Sequence, residues 1–539
     1  MNMAPLFLVA IIGSLLVACS GSDTTNNNTA TSDNSTNSPQ VSSTSPAQGT
    51  TGVSRSTSIS VTFDREMDSN SITANYSDTA CWGTIIVSLD SFNTCVQFSG
   101  PPTVSNSNKT YTMNLAYYLS ALKGYRIAVT TAAKDSSGNS MQPSYTTTNE
   151  FFTTTSRVIQ EGGSGSDTGY DVTVDSSGNV YTVGKASSLH GNAYNGSFLM
   201  KHNSSFVRQW TRQSDSYTGY SLAEDNSGNL ILLSSQRDNF NLTKFTSLGE
   251  ENWSVSKNIG YMETYDVAVG SASDDIYLVG HSRNGYTIDG IYATGSYDIL
   301  LMKYNSSGTR QWTKLLGVSS KATYGYGMDV DSTGNIYATG STTGNLDNNT
   351  NAGSHDVFLT KYNTSGTKQW TKLFGSSSSD IGNKVALDGT GYVYITGKTG
   401  GILDGGSVSG DQDVFIAKYN TSGTQQWIKQ LGDTNSEGKD IVADSSGNVY
   451  VTGYTYGDFD GNKNLGSIDI VIVKYNSSGT KQWTKQYGTS SDDRGLGITL
   501  DSSGYIYITG QTSGGLYGNT NAGSYDIFLM KLDSSGTIQ

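Results

Sequence analysis

One phrase built around a tryptophan returns along the C-terminal two-thirds of this chain, and it constrains the fold more than any other feature. Its clean copy is GTKQWTKLFGSSSSDIGNKVALDGTGYVYITG, Gly366 to Gly397. The tryptophan recurs as Trp210, Trp253, Trp312, Trp370, Trp427 and Trp483, and the last three intervals are 58, 57 and 56 residues. Self-similarity at a period near 50 belongs to repeat architectures, in which each unit buries its faces only against its neighbours. Within one copy four strand-like runs follow each other: Tyr326 to Asp331, Ile336 to Gly340, Asp356 to Asn363 and Lys368 to Phe374. Tight Ser-Thr-Gly-Asn and Thr-Ser-Gly turns follow the first and third runs.

Four antiparallel strands per repeat is the build of a propeller blade. The residue after the first turn counts the units: Tyr181, Ile231, Tyr277, Tyr337, Tyr394, Tyr450 and Tyr507 give seven, at about 55 residues each over 156–539. A seven-bladed β-propeller is therefore predicted. Arg157 to Asp167 reads as a fourth strand with its exit loop, Val158 standing near the tryptophan position, and the chain stops at Ser534 to Gln539 just before a fourth strand. The N-terminal strand should complete the last blade, which removes open sheet edges. Units two and three depart from the pattern, through DNSGNLILLS at Asp225 to Ser234 with a shortened loop, and GSASDDIY at Gly270 to Tyr277. The phrases SSSSDIGNKVALDGTGYVYITGKT, SSDDRGLGITLDSSGYIYITGQT and DSSGNVYVTG resemble the SBBP family of β-propeller repeats.

Composition agrees with an all-β chain. Charged residues are only 15%, Gly (63) and Tyr (34) are abundant and Pro (6) is scarce, as many short strands joined by Gly, Ser and Asn turns require. A net charge of −13 with no Lys/Arg cluster excludes a nucleic-acid partner, which needs a positive patch. His190, His202, His281 and His355 show no metal-ligand spacing.

At the other end, Leu6 to Val17 is an apolar run of secretory-signal length, too short to span a bilayer. It ends in Leu16-Val17-Ala18-Cys19, which resembles the lipobox of bacterial lipoproteins, although Met1 to Pro5 carries no Lys or Arg. The resemblance implies that residues 1–19 end at a lipidated Cys19 and that the membrane partner is reached through this anchor. Ser20 after the cysteine implies outer-membrane delivery, surface-exposed, with a periplasm-facing orientation as the alternative. Residues 20–42, rich in Ser, Thr and Asn, cannot bury enough apolar surface to offset chain entropy and read as a flexible tether.

Residues 43–155 alternate with period two: Ser58 to Phe63, Gly83 to Leu89, Thr110 to Ala116, Tyr125 to Thr131 and Glu150 to Thr155 read as strands of a β-sandwich. Val41 to Thr73, with its Ser-Pro-x-x-Gly opening and Phe-Asp-x-x-Met-Asp segment, resembles the SbsA-type bacterial Ig-like domain, which implies a stalk module. Cys81 and Cys95 are the two cysteines left over in an exported chain, which favours a disulfide worth on the order of 3 kcal/mol. Two free buried thiols are the alternative; a metal or redox site lacks a third ligand.

In the propeller the first-to-second and third-to-fourth turns share one face and are short. The other loops are long and variable, such as Gly457 to Asp469 and Gly400 to Asp413. Variable insertions gathered on one face mark a binding face, expected to hold a protein or glycan ligand together with the central funnel. Irregular loop aromatics, Tyr286, Tyr292, Tyr456 and Tyr517, are the candidate ligand contacts, while aromatics repeated in every unit belong to the inter-blade core. Asp298, Asp356, Asp413, Asp469 and Asp526 at the third strands, with Asp167, Asp380 and Asp493 in the preceding loops, could bind Ca²⁺, as could Asp458-x-Asp460-Gly461-Asn462. Capping of their own loops explains one copy per blade better, so no metal or other cofactor is expected. Neither the Asp-box order of sialidases nor a Gly-x-Ser-x-Gly or His-Glu-x-x-His motif is present. The expectation is a monomeric, non-catalytic, lipid-anchored binding or adhesion protein; a propeller enzyme acting on extracellular carbohydrate is the alternative.

Overall fold

A computed structural model describes residues 37–50, 53, 57–116, 119, 124–148, 150–152, 158–191, 195–214, 216–258, 260–403, 405, 410–432 and 434–539. Cys19, the signal sequence and most of the tether lie outside these residues.

The N-terminal domain is a two-sheet sandwich. One sheet orders Val41–Ser45, Ile59–Phe63, Thr110–Met113 and Thr103–Ser105; the other joins Ile85–Ser88, Gly124–Val129 and Tyr145–Thr146, with Phe151–Phe152 also paired to Gly124–Val129. Alternation places Ile59, Val61 and Phe63 inward against Tyr111, Ile85 and Ile127. The first strand starts at Val41, inside the stretch read as tether. With Thr103–Ser105 and Tyr145–Thr146 it belongs to the strands sequence reading missed, because these runs are short and offer no inward apolar set. Cys81 and Cys95 form the expected disulfide, their Cα atoms 5.0 Å apart.

From Val158 onward the described residues form seven four-stranded antiparallel sheets and one small added hairpin. The first sheet runs Thr168–Val174, Val180–Ser187, Asn195–His202, Arg208–Gln213, and the fifth Asp380–Leu387, Tyr392–Thr399, Asp413–Asn420, Gln425–Leu431. The seventh joins Asp493–Leu500, Ile506–Thr512 and Asp526–Leu532 to Val158–Glu161, so the first strand after the stalk closes the last blade, and that blade packs on the first. Register refines one detail. Val158 faces Met530 as Thr484 faces Val473, so Val158 stands one place after the tryptophan position.

The repeated phrase is an inter-blade latch. From blade three to blade seven the third-strand Lys and fourth-strand Trp of one blade donate to the same backbone carbonyl in the next blade's third-to-fourth turn, while Lys201 Nζ to Ser247 O and Trp253 Nε1 to Ser306 O hold the first two junctions. Lys361 Nζ (3.2 Å) and Trp370 Nε1 (3.3 Å) meet at Thr421 O, and Lys418 (2.9 Å) and Trp427 (3.3 Å) at Ser477 O. The turn glycine lies on the indole: Gly423 has φ +81°, and a Cβ there would sit 3.1 Å from the Trp370 ring. At the seam the closing strand Val158–Glu161 brings no tryptophan, and the matching glycine of the first blade is replaced by Phe206. This ring is buried and stacks on Tyr507 at 6.1 Å, filling the vacancy.

Candidate functional site

Each first strand carries a β-bulge just after its entrance, at Tyr170, Tyr220, Tyr265, Tyr326, Asn383, Lys439 and Leu496. The bulge pushes a backbone carbonyl against the second strand, and glycine is required there: a Cβ on Gly184, Gly397 or Gly510 would lie 1.9 Å from a carbonyl oxygen of the bulged strand. This accounts for the Gly that ends Val-Tyr-Ile-Thr-Gly. The bulges re-aim side chains into the ring's centre, where they bound a cavity of about 510 Å³. It lies toward the entrance ends of the first strands, the long-loop side.

The cavity has two unlike walls. Blades one to four contribute an arc of tyrosines in mutual contact, Tyr170–Tyr220, Tyr220–Tyr265 and Tyr265–Tyr326, with centroids 5.5, 5.4 and 5.5 Å apart. Blades five to seven contribute Asn383, Lys384, Lys398, Glu437, Lys439, Asp440, Tyr454 and Arg494. Glu437 is saturated: it accepts from Lys439 (3.0 Å), Asn383 (2.9 Å) and Tyr454 OH (2.8 Å), and Lys398 lies at 3.4 Å. Burial would raise its carboxyl, but the two lysines and these hydrogen bonds outweigh it and hold the group at about 2.

The residue after each bulge forms a deeper layer: Asp171, Ser221, Asp266, Gly327, Lys384, Asp440 and Gly497. The aspartates clasp blades together, each accepting its own next N–H and one from a neighbouring blade. Asp171 takes Val172 N and Leu222 N, Asp266 takes Val267 N and Met328 N, and Asp440 takes Ile441 N and Ile498 N. Lys384 bonds Asp266 Oδ1 across the ring at 2.6 Å. One ammonium thus faces Asp171, Asp266, Asp440 and, one step further along a first strand, Asp329. With the carboxylates in excess, burial raises Asp171, pushes Asp329 up to about 6 and Asp440 up to about 7, Lys384 opposing each shift.

The candidate loop tyrosines fall elsewhere. Tyr286 (41% exposed) and Tyr292 (70%) stand on the third blade's added hairpin, away from the cavity lining. Tyr517 is half-buried edge-on to Tyr487 (6.3 Å) with φ +51°. It takes the left-handed turn position that Asp347 and Asp460 hold in other blades, a structural place. Tyr456, 50% exposed, meets the cavity-lining Tyr454 edge-on at 6.0 Å, so it alone of the four adjoins the site.

The repeated aspartates cap loops: Asp298 accepts Gly295 N, Asp356 Ala352 N, Asp469 Leu465 N, Asp526 Ala522 N, Asp167 Gly163 N and Ser187 N, Asp380 Ser376 N and Asp493 Thr489 N, while Asp413 accepts Gln430 Nε2. Asp380 and Asp493 open first strands rather than lying in loops. Asp460 binds Lys481 and Thr484, and Asp458 accepts Asn464 N. Among the described residues no group of three or more His, Cys, Asp or Glu is placed to hold a metal ion.

The funnel residues were missed, yet they leave a signal. Ten residues ahead of the counting position the repeats read Asp171, Ser221, Gly327, Lys384, Asp440 and Gly497, and Asp266 joins them once the longer third turn is allowed for. This position varies inside an otherwise repeating frame.

Residues 35–155 match the bacterial Ig-like domain model, and 158–189, 311–347, 369–404, 426–460 and 482–521 match the beta-propeller repeat model. The chain carries a bacterial Ig-like domain followed by SBBP β-propeller repeats. The repeats left unmatched include those of blade two, where Ser234 replaces the glycine opposite the bulge. The SBBP chain is 26% identical over 220 residues to the regulatory protein FlaEY of Caulobacter vibrioides, covering 35% of this chain and 23% of that protein. It is also 26% identical over 226 residues to an uncharacterized WD repeat-containing protein of Acanthamoeba polyphaga mimivirus, covering 35% and 16%. It thus spans less than a quarter of either relative. Among solved structures, the Neurospora crassa Pan2 WD40 domain is similar with TM-score 0.41 and 8% identity over 67% of this chain and 88% of that one. The Dos1 propeller follows with TM-score 0.37 and 8% identity over 86% and 94%.

Proposed function

We propose that this protein is a lipid-anchored, outer-membrane binding protein: Cys19 carries the anchor, the tether and Ig-like domain form a stalk, and the propeller offers its funnel to a ligand without catalysing a reaction. One observation carries the reading. In a frame that otherwise repeats, the 510 Å³ cavity has two unlike walls, tyrosine at the bulge in blades one to four and Asn383, Lys439 and Leu496 in blades five to seven, as an asymmetric ligand requires and a scaffold does not.

The enzyme alternative draws on two carboxylates in one cavity with separated titration, Glu437 low and Asp440 high, the signature of acid and base pairs. Their contacts favour a binding role. Asp440 makes the same two backbone bonds as Asp171 and Asp266, and Glu437 has its oxygens occupied by four donors, so neither is free to move a proton to a substrate.

Array binding of the full chain to glycans and envelope proteins tests the proposal, with Tyr220→Ala and Lys439→Ala as cavity variants and Tyr292→Ala as the control. Ligand lost in the cavity variants and kept in the control is the expected result. Binding indifferent to the cavity variants, or turnover of a bound glycan, would overturn it.

A further inference from the structure

We infer that the ligand is a carboxylated saccharide whose acid group docks on Arg494, an inference that rests on the funnel being the binding site. Four cations line the cavity. Lys384 is engaged by Asp266, and Lys398 and Lys439 by Glu437. Arg494 is different: among the described residues it forms no ion pair, its guanidinium lies over the Tyr454 ring at 4.9 Å, and its Nε is buried without a hydrogen-bond partner. The nearby Asp492 is occupied by Tyr525 OH at 3.1 Å. A guanidinium without a counter-ion in a cavity wall, with a donor left unsatisfied, is a receptor for a planar anion, and a carboxylate matches its paired donors.

The surroundings say what carries the carboxylate. Beside Arg494 stand Tyr454 and the exposed Tyr456, edge-on to one another, and the opposite wall is the arc from Tyr170 to Tyr326. Phenol rings tilted or edge-on to one another, next to Lys398, Lys439 and Asn383, suit a ring with apolar C–H faces and hydroxyls at its rim. They suit an aliphatic peptide poorly, since leucine or valine would cover Lys398, Lys439 and Asn383 without pairing them. A cavity of about 510 Å³ has room for a mono- or disaccharide unit. A uronate residue combines both demands.

Isothermal titration of the full chain with oligosaccharides of galacturonate, glucuronate and mannuronate, each paired with its methyl ester, tests this. Esterification keeps the ring and removes the charge. At least one uronate should bind, with affinity falling about tenfold or more on esterification and in Arg494→Gln, less in Arg494→Lys, and weakening as salt is raised. Unchanged melting temperatures establish that both variants are folded; should Arg494→Gln not fold, Arg494→Lys and the ester comparison carry the test. Esters binding as well as acids, an affinity that Arg494→Gln leaves intact, or failure of every uronate to bind would overturn the inference. If neutral glycans or a protein then bind and lose affinity in Tyr220→Ala, the funnel reading stands alone; binding indifferent to both substitutions removes the funnel reading as well.

Discussion

Gly423 shows how much one position can carry. It holds φ +81° and lies flat on Trp370, so alanine there adds both backbone strain and a methyl group 3.1 Å from the indole. Gly423→Ala should cost about 1–2 kcal/mol in a denaturant titration, whereas Gly389→Ala, at φ +72° with open space around it, should cost less. The buried aspartates set a second residue-level expectation. Asp440 and Asp329 have folded pKa values above the ordinary 3.8, so the folded state binds protons that the unfolded state does not, and stability rises as pH falls through those values. From pH 8 to 6.5 Asp440 should contribute about 1 kcal/mol of added stability, seen as a higher urea midpoint. Below 6.5 the gain is opposed by His281, whose pKa burial lowers to about 4, since the unfolded chain then takes up the proton first. Below about 4.5 the loss of Glu437's ion pairs turns the curve down. A midpoint that falls steadily from pH 8 to 6.5 would refute the carboxylate excess around Lys384.

The seam blade differs from the others in a way that can be measured. Six blades carry the repeated tryptophan, but the closing strand does not, and Phe206 takes over the packing on Tyr507. Phe206→Ala should cost about 3–5 kcal/mol in unfolding free energy, because the buried ring leaves a cavity at the junction where no tryptophan takes part. A cost below about 1 kcal/mol would show that the seam is held by strand pairing alone. The blades themselves were legible in sequence because the latch repeats: the fourth strand Lys368–Phe374 was read with both ends correct, and the second was placed from Ile336. First strands were read late, since Thr323 to Gly325 precede the bulge at Tyr326, and a bulge breaks the period-two alternation that announces a strand. The same bulges hid the site. They turn tyrosines and lysines inward at places where alternation assigns them outward, so the sequence points to the funnel but not to the residues that line it.

Closure is what makes seven sheets one object. Every sheet but the last is made from strands that follow one another in the chain, the third with the added hairpin between two of them, so local contacts alone could form them. The seventh needs Val158–Glu161 to pair with Asp526–Leu532 from the far end of the chain. A proline in an outer strand fixes φ and, at a position whose N–H faces the neighbouring strand, removes a ladder donor. In blade five, Lys429→Pro, at the place matching Ile159, should loosen only that strand, because the chain on either side stays held by its own blade and the ring remains joined. Ile159→Pro acts on the strand that fastens the two ends together. It should expose the edge of Asp526–Leu532, free blade one from blade seven and raise the radius of gyration in small-angle scattering, with new protease cuts between residues 158 and 167. The cavity rests on both sides of that seam, since Tyr170 comes from blade one and Arg494 from blade seven. Ligand affinity should therefore fall in Ile159→Pro and persist in Lys429→Pro. Equal effects of the two prolines on size and binding would mean that the ring is held by blade-to-blade packing, with the borrowed strand contributing no more than any other.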